Sequence, residues 1–222
     1  AWSGWAFQAD VKEQEGIRLD TNYYFWPPVW VADRPGFMTG SGMPMRFADT
    51  DGSMFDVYQA ATQMTDESGQ SYPATINSLI NNAIGSNGYY GVFTANMHSD
   101  NLSSPGSDAI IASAQANSVP VISGRQLLTW LDGRNSSSFS AINWSGNTLS
   151  FSVSVGSGAN GLTAMLPVQS NVGTLASITR NAIPVTFTTH TIKGVQYAVF
   201  SANPGGDFVA VYAADTIPPV IS

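Results

Sequence analysis

The feature that most constrains this chain is a change of hydrophobic period near residue 137. From residue 71 to 133, apolar residues recur at helical spacing and alternate with short apolar runs; beyond 137 they alternate every second residue. The first pattern buries one stripe of a helix and the second buries one face of a strand, so the sequence encodes two kinds of folding unit. Pro73 opens a helix with Ile76, Leu79, Ile80 and Ala83 on one stripe, closed near Gly85. Tyr90 to Met97 reads as a buried strand, Ser107 caps a helix carrying Ile110, Ile111 and Ala114, and Val119 to Ile122 reads as another short strand. Ser123 and Gln126 form a capping box for a helix with Leu127, Leu128 and Leu131, stopped by Gly133. Helix, strand, helix, strand, helix at this spacing predicts an α/β fold with a parallel sheet or barrel.

Earlier in the chain, Ile17 to Phe25 reads as a strand after a short helix containing Lys12, Glu13 and Glu15. Met43 to Ala48 and Phe55 to Gln63 flank Asp49-Thr-Asp-Gly52, a hairpin signal. These units are too few for a closed eight-strand barrel. Either the sheet is open, or earlier strands precede Ala1. The expectation is thus a partial or open parallel α/β barrel over residues 1–137, followed by a small all-β antiparallel sandwich over 138–215. Its strands include Leu149, Phe151, Val153 and Val155, then Leu162, Ala164, Leu166 and Val168, with further strands to Ala213. Residues 216–222, Thr-Ile-Pro-Pro-Val-Ile-Ser, read as a linker to a further module.

Charge divides at the same place. Residues 1–137 hold thirteen acids and six bases, and the remainder two of each, so the whole net charge of -7 lies on the first part. Only 10% of residues are charged, against about 25% in an average soluble domain. Ser, Thr, Asn and Gly solvate the surface instead, which suits a secreted, extracellular or cell-surface protein. With no Lys/Arg cluster, nucleic acid is not an expected partner. No apolar run reaches the roughly 20 residues of a membrane-spanning helix. Zero cysteines exclude disulfides, zinc-thiolate centres and thiol nucleophiles.

Ligands of parallel α/β sheets bind at the carboxyl ends of strands, and polar residues fall at three such ends. Asp20 follows Gly16-Ile-Arg-Leu19; as a strand-end acid it is a base, a ligand or the cap of a turn. Asp66 and Glu67 follow the hairpin strand and read as solvated acids ahead of a helix. His98 and Asp100 follow Tyr89 to Met97; a histidine there donates a proton to a leaving group, ligates a metal, or is hydrogen-bonded in its loop. Tyr23, Tyr24, Trp26 and Trp30, beside a Pro-Pro corner, form a rigid aromatic wall for stacking on sugar rings or pack beneath a long loop. Arg46 fixes a carboxylate or hydroxyl of a ligand, or pairs with Asp20. Asp49-Thr-Asp-Gly52 with Asp56 imitates the start of a calcium loop but lacks its remaining ligands, and reads as a turn. His190 reads as an ordinary strand residue.

The runs Gly16-Ile-Arg-Leu-Asp-Thr-Asn-Tyr-Tyr-Phe-Trp26, Gly42-Met-Pro-Met-Arg-Phe47 and Asn96-Met-His-Ser-Asp100 resemble the later half of a polysaccharide-deacetylase-like α/β barrel. The resemblance extends over residues 1–135 and is closest to large secreted bacterial proteins in which such a region precedes Ig-like or fibronectin-like β modules. It implies metal-dependent hydrolysis of acetyl groups on an extracellular polysaccharide, with His98 in the place of the family's general acid. Arg18 loosely matches the arginine that orients the catalytic base, and its usual Pro-Tyr partner is missing. The family's Asp-Asp and His-x-x-x-His pairs, which hold a divalent metal, do not occur in this sequence. Metal and base are therefore expected before Ala1, in the earlier part of the same domain, so that this chain alone would carry an incomplete active site; further domains of the same polypeptide are expected as partners. The alternatives are a non-catalytic extracellular carbohydrate-binding or adhesive protein that uses the same aromatic wall, and a self-assembling structural protein whose flat, low-charge β modules pack subunits together.

Overall fold

The structure is a computed structural model and describes residues 6–21, 42–67, 69–85, 91–100 and 103–213. The chain divides into two compact units, residues 1–124 and 125–222.

In the first unit, helix α1 (Phe7–Gln14) leads into the short strand β1 (Leu19–Asp20). Strands β2 (Met45–Ala48) and β3 (Met54–Gln59) form the antiparallel hairpin expected around Asp49-Thr-Asp-Gly52. Its turn is held by Asp51, whose carboxylate accepts from the Ser53 amide at 2.8 Å and the Ser53 hydroxyl at 2.7 Å. β1 adds to the other side of β3 in parallel, giving the order β1-β3-β2. Strand β4 (Thr62–Thr65), helix α2 (Ala74–Ile84) and strand β5 (Thr94–Asn96) then make one parallel crossover. The sequence dictates α2 locally: Pro73 precedes its first turn, Gly85 ends it, and Ile76, Leu79 and Ile80 are buried on one stripe. That stripe packs with Met64 of β4 and Ile110 of helix α3 (Pro105–Ala116). α3 is capped by the Ser104 hydroxyl with Pro105 at its first position, three residues ahead of the expected Ser107 cap.

The expected α/β barrel is not formed. The described residues are mostly β, 41% in strands, with four short helices and antiparallel sheets. Parallel pairing among them is confined to β1 with β3 and β4 with β5. The next strand of a parallel barrel was expected at Val119 to Ile122, and that segment is not a strand. The Val119 amide instead closes α3 on the Ala114 carbonyl at 2.8 Å. Pro120 has no amide to give a ladder, and Val121 and Ile122 are exposed.

The second unit begins with helix α4 (Gly124–Ser136), apart from its first residue, and continues through nine strands. These are β6 (Ser138–Ser145), β7 (Thr148–Ser154), β8 (Thr163–Pro167), β9 (Gln169–Ser170), β10 (Gly173–Arg180), β11 (Ile183–Val185), β12 (Phe187–Ile192), β13 (Val195–Ser201) and β14 (Gly206–Ala213). They pair antiparallel in two sheets, β11-β10-β14-β7-β6 with β9 on β10, and β12-β13-β8. The inward residues of both sheets share one core. Phe208 stacks on Phe151 at 5.3 Å between centroids and meets Phe200 of the smaller sheet at 5.6 Å. The buried Tyr212 donates its hydroxyl to the Pro167 carbonyl at 2.9 Å, tying β14 to the end of β8.

α4 runs through Gly133, where the sequence pattern predicts a stop. A Cβ at Gly133 would lie 2.4 Å from the Ala159 amide nitrogen and 2.5 Å from the Ser157 carbonyl oxygen. The glycine is therefore where the helix touches the β7–β8 loop. Trp130 Nε1 donates to the Asn160 carbonyl at 3.1 Å, and the Ser137 hydroxyl bridges the Gly133 carbonyl and the Gly156 amide at 2.8 and 2.9 Å. This docking carries α4 with the β-rich unit, so the division falls at residue 124, ahead of the change in period at 137.

Candidate functional site

β4 and β5 run parallel, so their carboxyl ends lie side by side. Asp66 leaves β4 and His98 leaves β5, and the two meet there. His98 Nδ1 lies 2.8 Å from Asp66 Oδ1, and the His98 backbone amide donates to Asp66 Oδ2 at 3.0 Å. One carboxylate thus fixes both the imidazole and the chain that carries it. With Nδ1–H directed at Asp66, Nε2 is the nitrogen left to exchange a proton. It lies 3.5 Å from Glu67 Oε1, within electrostatic reach but beyond ordinary hydrogen-bond length. The imidazole is about half exposed, so a ligand from solvent reaches it.

The loop that holds Asp66 is braced by Gln70, which acts on β4 as an additional strand would. Its Nε2 donates to the Gln63 carbonyl at 3.0 Å and its Oε1 accepts from the Thr65 amide at 3.2 Å. Tyr72 donates its hydroxyl to Gln70 Oε1 at 3.1 Å and approaches the Thr65 carbonyl at 3.3 Å. Partial burial pushes the Tyr72 phenol up to about 12, with the charge of Asp66 adding to it.

The electrostatics follow the geometry. The hydrogen bond to Asp66 raises His98 above its ordinary 6.5, reinforced by the charges of Asp66, Glu67 and Asp100. The same bond holds Asp66 below the usual carboxylate value. The site therefore favours imidazolium against carboxylate, the state from which a histidine gives a proton.

The other expected residues do not join His98 through any described contact. Asp20, at the end of β1, is buried and ion-paired with Lys12 of α1. Arg18 donates from Nε and Nη2 to the two carboxylate oxygens of Asp56 at 2.6 and 2.9 Å, bracing β3. Arg46 shares that carboxylate at 3.7 Å, donates to the Phe55 carbonyl at 2.8 Å and lies over the Tyr58 ring. The pairing of Arg46 considered with Asp20 is thus made with Asp56, and Asp56 serves the two arginines rather than a calcium loop. Tyr23, Tyr24, Trp26 and Trp30 lie outside the described residues. His190, exposed on β12, meets the Thr188 hydroxyl at 3.2 Å.

Two features were not legible as site residues. Asp66, read as a solvated acid, is the partner of His98; the signal was its place at a strand end. Gln63 of β4 is 1% exposed, and neither amide atom has a hydrogen-bond partner among the described residues. Gln59 Nε2 at the end of β3 is likewise buried and unpaired among them. Among the described residues, no group of three or more His, Asp and Glu side chains is placed to hold a metal ion. The described residues therefore do not by themselves supply the ligands of the divalent metal that the resemblance implies. A groove of about 520 Å³, lined by Pro73, Asn77 and Asn81 of the α2 segment and Ser113 and Asn117 of the α3 segment, contains none of the residues above. No helix among the described residues is long and apolar enough to cross a membrane.

Comparison with protein-family models, with curated proteins and with solved structures gives no match to this chain.

Proposed function

We propose that this chain is part of a secreted carbohydrate-active protein that hydrolyses acetyl groups on an extracellular polysaccharide, with His98 as the general acid. The observation that carries the reading is the His98–Asp66 pair at the carboxyl ends of β4 and β5. Water adds to the acetyl carbonyl, giving up a proton to a base outside the described residues; when the tetrahedral adduct collapses, the bond from carbonyl carbon to sugar oxygen or nitrogen breaks, acetate departs and the leaving atom takes up a proton. His98 Nε2–H supplies that proton. Asp66 accepts from Nδ1–H throughout, orients the ring and stabilises the imidazolium before transfer. Asp66 is thus a positioning residue. The resemblance of Asn96-Met-His-Ser-Asp100 to the late-strand histidine of polysaccharide deacetylases supports the same assignment, and the low charge of the sequence suits an exported protein.

The test is acetate release from partially acetylated polysaccharides by the intact polypeptide that contains this chain and by its His98→Gln variant. A general acid contributes about 10²- to 10⁴-fold, so H98Q is expected to lose at least about a hundredfold in kcat with its folding transition unchanged. Undiminished turnover by H98Q, or no acetate release by the unsubstituted protein, overturns the proposal.

A further inference from the structure

The larger sheet of the second unit ends at β6, all eight residues of which are exposed. Such an edge ordinarily invites another strand. Here the ladder with β7 is broken between Ser140 and Asn143, where two residues of β6 face one of β7, and Ala141 has a φ of 50°. A bulge with a left-handed alanine twists the edge and interrupts the row of outward amides and carbonyls that an incoming strand would pair with.

The bulge also brings two rings to one side. Phe139 is opposite Val153 and Trp144 is opposite Leu149 on β7, so both share the face of the core residue Phe151. Phe139 leans on Phe151 at 5.9 Å between centroids, and Trp144 leans on the buried Tyr212 at 5.2 Å. Trp144 Nε1 donates to the Gly146 carbonyl at 2.9 Å, which fixes the indole plane. The rings are nevertheless 56% and 41% exposed, with Ile142 between them at 68%. Four strand steps on β7 separate their partners, so the rings are roughly 14 Å apart. A ligand touching both must be extended.

Chemistry identifies the occupant. β6 and β7 contain no charged residue, and the described part of the unit from Ser138 onward carries Arg180, Lys193 and Asp207 as its only Asp, Glu, Lys or Arg residues. The register pairs Ser138, Ser140, Asn143 and Ser145 with Ser154, Ser152, Ser150 and Thr148, which places these polar side chains on the opposite face and leaves the ring-bearing face apolar. Pre-ordered aromatic rings on strands without charge suit the apolar C–H faces of an uncharged sugar chain. They offer nothing to an anionic or cationic polymer.

We propose that Phe139 and Trp144 form a binding platform for an uncharged, extended polysaccharide on the second unit. The ligand class rests on the reading of the first unit as carbohydrate-active, whereas the platform and its measurement are independent of His98.

The experiment is calorimetric titration of the full chain with chitohexaose, an uncharged acetylated oligosaccharide, with polygalacturonate as the anionic comparison. Binding of chitohexaose should be insensitive to salt and should weaken by about tenfold or more in Trp144→Ala and in Phe139→Ala. Phe139→Leu keeps apolar packing on Phe151 while removing the ring, and should weaken binding with the thermal transition preserved. His98→Gln should bind as the unsubstituted chain does, so loss of hydrolysis and loss of binding are read separately. Absence of chitohexaose binding, binding unaffected by F139L and W144A, or tighter binding of polygalacturonate overturns the proposal. So does concentration-dependent association that W144A abolishes, because the platform would then join copies of the chain.

Discussion

Gly133→Ala sets helix propensity against packing. In a helix interior, alanine is favoured over glycine by about 1 kcal/mol, and Gly133 lies inside α4. Propensity alone therefore predicts a more stable protein. The structure predicts the reverse. The new methyl carbon would stand 2.4 Å from the Ala159 nitrogen, 2.5 Å from the Ser157 oxygen and 2.8 Å from the Gly158 carbonyl carbon. All three are backbone atoms, so no rotamer change relieves the clash; the loop must move away from the helix. Its own glycines are confined too, since a Cβ at Gly156 would lie 2.4 Å from the Gly133 oxygen and one at Gly158 would lie 2.7 Å from the Thr129 oxygen. Overpacking costs about 1–3 kcal/mol where side chains can give, and here only backbone can. A cost at the upper end of that range, less the propensity gain, leaves a net loss of about 2 kcal/mol. For a domain of about 100 residues this lowers Tm by roughly 8–16 °C. Gly146→Ala provides the scale, because Gly146 has a φ of 58° with nothing near its Cβ position, and should cost only about 1 kcal/mol of left-handed strain. Scanning calorimetry of the full chain measures both, and hydrogen exchange over β7 and β14 assigns the transition to the second unit. If Gly133→Ala is neutral, stabilising or milder than Gly146→Ala, α4 does not dock on the β7–β8 loop in the way described.

Two further outcomes follow from the first unit. Asp66 raises the His98 pKa, so the imidazolium-carboxylate pair is complete below about 6.5 and is lost as pH rises through the higher folded value. In Asp66→Asn the His98 titration followed by NMR should move down toward 6.5, and the basic limb of acetate release should move down with it; an unmoved titration refutes the coupling. Gln63→Met removes two buried amide atoms that have no partner among the described residues, while keeping similar volume. It should stabilise the first unit by about 1–3 kcal/mol, read as a higher denaturant midpoint at unchanged slope, whereas a lower midpoint would show that the amide is satisfied in the folded protein.

What the sequence reveals depends on how local the determinant is. α2 is legible because Pro73, Gly85 and the Ile76-Leu79-Ile80 stripe lie within one segment and agree. The Asp49–Gly52 hairpin is legible for the same reason. The barrel is a different kind of inference, because alternating helical and apolar runs specify neither strand number nor pairing. The apolar run at Val119 ends a helix instead of entering a sheet, and the hairpin sets β2 antiparallel to β3. Gly133 shows a further ambiguity, since a glycine that ends a helix and one that admits a neighbouring backbone look alike in one dimension. The His98–Asp66 pair spans 32 positions; each residue could be placed at a strand end, but their meeting needed the β4–β5 register.

β6 shows where periodicity itself misleads. Phe139 and Trp144 are an odd number of residues apart, so strict alternation assigns them to opposite faces of a strand. The segment consequently gives no alternating signal, and the first strand readable in this half of the chain starts at Leu149. The structure restores the rings to one face by inserting an extra residue at the bulge, with Ala141 at positive φ. Alanine has none of the glycine or asparagine preference that announces such a conformation. The cost of that backbone geometry is borne by an exposed edge strand whose rings pack on Phe151 and Tyr212 yet stay open to solvent. An off-period pair of aromatics in an uncharged segment is thus compatible with a single aromatic face when one residue bulges, and the bulge that hides the strand from the sequence is what builds the platform.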